Sequence, residues 1–105
     1  MEYVSSRDSK QRVGFSAALS RGLATGGGLY LPGEWPVAAV ATLDAATPLP
    51  QLAAKFLAPF AAGDLLAGEM PAIAAEAFNF PAPLVALDGD SLSVLELYHG
   101  PTAAF

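Results

Sequence analysis

The chain has 105 residues, with five Lys plus Arg, ten Asp plus Glu, one His and no Cys. That length suits one domain or a piece of a larger one. The missing Cys excludes a disulfide framework, thiolate metal ligands and a cysteine nucleophile, and a lone His excludes a His-rich metal centre.

The formal net charge is −5, and only Lys55 among the bases lies beyond Arg21, which argues against a nucleic-acid partner, because such proteins carry clustered basic surface. The N-terminal run has no signal-peptide core, and Glu2 and Asp8 sit where positive charge would be needed. No apolar run approaches the roughly 20 residues that span a bilayer. A soluble, cytoplasmic protein without a membrane partner is expected. Of the 56 apolar residues 22 are Ala, so large side chains for a core are few.

Tyr3 and Val4 predict a short strand, and Asp8 to Arg12 reads as a charged loop. From Phe15 to Ala24 the spacing of Phe15, Ala18, Leu19 and Leu23 predicts a helix. Ser16 is the expected N-cap and Gly26-Gly27-Gly28 the expected stop. Leu29 to Pro32 reads as extended and Trp35 to Ala46 as loop. Thr47-Pro48 predicts a helix start, with Thr47 as N-cap and Pro48 and Pro50 in the first turn. Its stripe is Leu49, Leu52, Ala53, Phe56 and Phe60, ended or kinked at Pro59, and Gly63 and Asp64 break the pattern.

A further helix is predicted over residues 69–79, with Ile73, Ala77 and Phe80 facing inward. Leu84 to Leu87 and Leu92 to Leu97 read as strands joined by Asp88-Gly89-Asp90, a hairpin signal because Gly89 accepts positive φ. At the end, Gly100-Pro101 turns the chain and Thr102 offers an N-cap for a helix that stops after Ala103-Ala104-Phe105. A single turn lacks cooperative support, so the chain is expected to be truncated there.

Three stretches carry a family resemblance: Tyr3-Val4-Ser5-Ser6-Arg7; Gly22-Leu23-Ala24 with Gly27 to Pro32; and Leu95-Glu96-Leu97-Tyr98-His99-Gly100-Pro101-Thr102 with Ala104-Phe105. Together with their spacing they resemble the N-terminal domain of threonine synthase, a pyridoxal-phosphate enzyme of the tryptophan-synthase-β-like fold. The last stretch is the most specific. Asp8 departs from the family, which usually has Gly after the Arg.

The resemblance implies an α+β fold: helices, a short N-terminal strand and a C-terminal hairpin, all within one N-terminal domain over residues 1–105. It implies that the full-length enzyme converts O-phosphohomoserine and water to threonine and phosphate. It further implies that the lysine forming the Schiff base follows Phe105, so this chain alone is expected to be inactive and to hold no cofactor. The rest of the enzyme is the expected packing partner.

Lys10 and Lys55 are the only lysines, and neither the charged loop nor the exposed helix side desolvates an amine into a nucleophile. Gly26-Gly27-Gly28 precedes an extended piece, not the helix N-terminus a phosphate needs. No residue is assigned a catalytic role and no metal is expected. His99 and Thr102 are candidate cofactor-binding residues, weighed against a surface imidazole and a plain N-cap. Ser5 and Arg7 are candidates for the substrate phosphate, since Arg clamps phosphate bidentately, weighed against a surface Arg beside Asp8. Glu96 reads either as a buried, paired carboxylate in a strand or as one facing water. Two other readings stay open: a related phospholyase acting on another phosphorylated amino alcohol, and a stand-alone, non-catalytic interaction module.

Overall fold

A computed structural model describes residues 1–37, 44, 46–89 and 91–101. Strand β1 (Glu2–Ser5) is the centre of a three-stranded antiparallel sheet of order β2-β1-β3, with β2 at Arg12–Gly14 and β3 at Tyr30–Pro32. Tyr3 pairs with Val13 on one side and Pro32 on the other. The loop expected over Asp8 to Arg12 holds for residues 8–11 and fails only at Arg12, which opens β2: Asp8 accepts from the Lys10 amide and from Gln11 Nε2, folding residues 8–11 into a turn that returns Arg12 to the ladder.

Helix α1 (Phe15–Arg21) is shorter than its apolar spacing suggests. It stops at Gly22, whose φ of 70° only glycine adopts without strain. The Gly26-Gly27-Gly28 segment is therefore not the helix stop. Gly26 and Gly27 take positive φ and close a small hairpin, in which Ala24 and Gly28 share a hydrogen bond and Leu23 bridges Leu29.

Helices α2 (Leu49–Leu57) and α3 (Met70–Ala77) pack against each other, linked by 3₁₀ turns at Ala58–Ala61 and Ala67–Glu69. Pro48 is the cap residue of α2 and Thr47 makes no capping hydrogen bond, so the start lies one residue later than expected. Pro50 sits in the first turn, and Pro59 lies where the α-helix tightens to 3₁₀. The buried residues of α3 are Met70 and Ala74, one turn apart, whereas Ile73 and Ala77 are exposed. The inward stripe therefore differs from the one expected over Ile73 and Ala77.

Strands β4 (Leu84–Asp88) and β5 (Leu92–Leu95) form a separate hairpin turned at Gly89, φ 51°. Every residue of both strands is exposed.

The core lies between the sheet, α1 and the α2–α3 pair. Its buried apolar members are Tyr3, Ala18, Ala24, Ala61, Met70 and Ala74. Three ties bind the N-terminal part of the chain to residues 60–64. Tyr3 donates its hydroxyl to the Phe60 carbonyl at 3.0 Å. The Met1 amino group donates to the Ala62 carbonyl. Asp64 Oδ2 accepts from both the amide and the hydroxyl of Ser16, at 3.1 and 3.0 Å. Ser16 is thus not the N-cap of α1. Gly14 is the cap residue, and the Asp64 carboxylate takes the free donors of the first turn from across the fold. The radius of gyration is 16.7 Å with extents of 51 × 27 × 25 Å, against about 13 Å for a compact domain of this length. Among the described residues no helix is long and apolar enough to cross a membrane.

Candidate functional site

The candidate residues fall in two places. The first is the loop after β1. Ser5 is buried, and its Oγ accepts the Arg7 amide at 3.3 Å. Ser6 donates its amide to the Leu29 carbonyl and accepts the Leu29 amide on its Oγ. The Arg7 guanidinium lies on the surface and donates to the Gly26 carbonyl at 2.7 Å. Arg7 is therefore tied to the glycine turn and not to Asp8. The approach is close enough to require Gly28, because a Cβ there would lie 2.3 Å from Ser5 Oγ. The structure thus brings Ser5, Arg7 and the glycine turn together.

The second place is the turn after β5. The Glu96 amide donates to the Pro83 carbonyl at 2.9 Å, which carries the hairpin ladder one step past the strand. Gly100 rests on the Phe80 ring: a Cβ at Gly100 would stand 3.2 Å from Phe80 Cζ. Between these anchors His99 Nε2 meets Glu96 Oε2 at 2.7 Å, and the Tyr98 and His99 rings lie 4.5 Å apart, tilted by 43°. Glu96 is thus a paired carboxylate, though half-buried and one residue past β5 rather than buried within a strand. The His99 hydrogen bond, followed by that of the Tyr98 hydroxyl, holds its carboxyl below the usual range. The same bond to Glu96 pushes the Tyr98 hydroxyl up. An apolar cavity of about 330 Å³ adjoins the turn, lined by Leu49, Phe78, Phe80, Pro81, Leu95 and Leu97 among others.

Among the described residues no hydrogen bond or ion pair links Ser5 or Arg7 to His99. Thr102 lies outside the described residues, as do Asp90 and the helix start expected after Thr102. Lys10 and Lys55 are exposed, and no group of three possible metal ligands converges among the described residues. One partner, Asp64, escapes the sequence reading, and the pairing of Glu96 is one of the two readings left open there. Asp64 looks like a helix breaker because its Ser16 partner is 48 residues away. Glu96 carried a usable signal, a carboxylate three residues before an imidazole in a turn.

Residues 2–78 match the family model described as threonine synthase N terminus. The chain belongs to the threonine synthase family. It is 36% identical to threonine synthase of Pseudomonas aeruginosa over 112 residues, covering all of this chain and 24% of that protein. To the Escherichia coli threonine synthase it is 31% identical over 107 residues, covering all of this chain and 25% of that protein. The chain therefore spans about a quarter of the length of the curated relatives it matches. The crystal structure of threonine synthase from Escherichia coli superimposes with a TM-score of 0.81 at 29% identity, over 97% of this chain and 24% of that one. The α+β architecture expected for this domain is the one found, and the correspondence runs through both the sheet–helix unit and the hairpin.

Proposed function

We propose that these residues form the N-terminal domain of a cytoplasmic threonine synthase that converts O-phosphohomoserine and water to threonine and phosphate. The observation that carries this reading is the match along the whole chain: the family model over residues 2–78 and the fold superposition over 97% of the chain, hairpin included. When bound, pyridoxal phosphate supplies an electron sink for carbanions at and beyond the substrate α-carbon.

The residues present fit one wall of such a pocket and not all of it. His99 stands on a turn fixed at both ends, with one ring nitrogen committed to Glu96. Lys10 and Lys55 are solvated amines away from that turn in sequence, and neither is suited to hold the cofactor covalently. In this reading His99 and Thr102 are the cofactor-binding candidates, and the 330 Å³ apolar cavity beside the turn is covered by the rest of the enzyme. Arg7, with an exposed guanidinium anchored through one nitrogen, keeps further donors for the substrate phosphate. Ser5 contributes by orienting the Arg7 backbone.

A chimera tests this. The matched N-terminal quarter of the Escherichia coli enzyme is replaced by this chain, and threonine and phosphate formation from O-phosphohomoserine is measured. The expected result is threonine synthesis in the chimera, with a marked loss on His99→Ala. A folded, cofactor-loaded chimera that makes no threonine contradicts the reading.

A further inference from the structure

The turn at residues 96–100 holds the only imidazole of the chain in a defined pair. A carboxylate is an acceptor only, so at 2.7 Å from Glu96 Oε2 the His99 Nε2 must carry a hydrogen and donate it. A neutral imidazole has one N–H, and fixing it on Nε2 leaves the lone pair on Nδ1. Among the described residues Nδ1 has no hydrogen-bond partner, whereas Nε2 does. The ring is also restrained from flipping. Tyr98 lies against it at 4.5 Å, and the backbone on either side is held by the Glu96–Pro83 hydrogen bond and by Gly100 seated on Phe80.

We infer that Glu96 is a positioning residue that locks His99 into the tautomer protonated at Nε2, so that Nδ1 is the nitrogen offered to ligand as a hydrogen-bond acceptor. The ligand chemistry this selects is a donor group, such as a hydroxyl, an ammonium or a bound water, and not a bare carbonyl. The inference rests on the reading above only in taking the turn to face a small polar ligand; the tautomer itself exists with or without one. The logic parallels metal-binding histidines, whose free nitrogen is chosen by the carboxylate holding the other.

The test uses the full chain labelled with 15N at histidine, where one histidine gives one unambiguous ring. Long-range 1H–15N correlation is recorded at a pH where the ring is neutral. The expected spectrum shows Nε2 as a pyrrole-type nitrogen and Nδ1 as a fully pyridine-type one, without averaging. Glu96→Ala should move both nitrogens toward the averaged positions of an unrestrained imidazole. Glu96→Gln should restore most of the separation, since the amide oxygen still accepts from Nε2–H. An averaged spectrum in the unmodified chain overturns the inference, and so does a spectrum unchanged by Glu96→Ala. If Glu96→Ala unfolds, the unmodified chain still decides, because averaging there refutes the lock. Failure of the chimera to make threonine leaves this spectrum untouched, so the two claims fail separately.

Discussion

The sheet–helix unit and the β4–β5 hairpin are built on opposite terms. In the first, residues far apart in sequence hold each other: Tyr3 with Phe60, Met1 with Ala62, Asp64 with Ser16. In the second, all nine strand residues are exposed, although six of them are Leu or Val. The hairpin's backbone ties are local, at Pro83 and beside Phe80, and an apolar cavity lies between it and Leu49 of α2. Exposed apolar strand surface of this kind marks a face that packs against something else. The proposed ligand contacts are divided between the two: Ser5 and Arg7 at the end of β1 in the better supported unit, His99 beyond β5 in the less supported one.

The contrast can be broken most forcefully at Met70, 4% exposed in the helix pair. Met70→Ala should cost about 2 kcal/mol, the low end for a buried methionine, because its half-exposed surroundings can partly collapse. Denaturant unfolding measures it, and a neutral result would mean the core lies elsewhere. Gly28→Ala comes next. Its Cβ would force Ser5 Oγ out of a buried position, at about 1–3 kcal/mol for an overpacked site. An equal effect of Ala at Gly26, where nothing lies within reach but φ is 84°, would shift the cause from packing to backbone strain.

Acid should act on the same unit. Asp64 is held below its ordinary value by hydrogen bonds from the Leu66 and Ser16 amides. Its folded value lies below its unfolded one, so its contribution is present above the ordinary aspartate range and is lost as pH falls through the folded value. Unfolding stability against pH should therefore drop on the acid side, and Asp64→Asn should flatten that limb while lowering the plateau. The smallest effect is expected in the hairpin: Leu87→Thr, at a position 61% exposed, should change the stability of this chain by less than about 0.5 kcal/mol. A larger loss would show that the hairpin is supported within the chain.

Much of this division was legible from the residues. Two short runs joined at a central Gly identify the β4–β5 hairpin, and both helix starts fall within a residue or two of those expected. Strand β2 was not legible, because three residues headed by Arg12 have too little pattern and owe their pairing to the Asp8 turn. The buried stripe of α3 was misplaced because alanine-rich helices give nearly equal apolar character to several faces, and packing against α2 chooses among them. For the site, the His99 turn announced itself through a specific motif, whereas the Asp64 tie depends on a contact between segments that only the tertiary fold brings together.

Hydrogen exchange followed residue by residue, first in this chain and then in the chimera, addresses the central claim most directly. If the hairpin is a wall completed by the rest of a threonine synthase, amides of β4 and β5 exchange fast in the chain and become protected in the chimera, while those of β1 are protected in both. Hairpin amides as protected in the chain as those of β1, or no slower in a folded chimera, would contradict it.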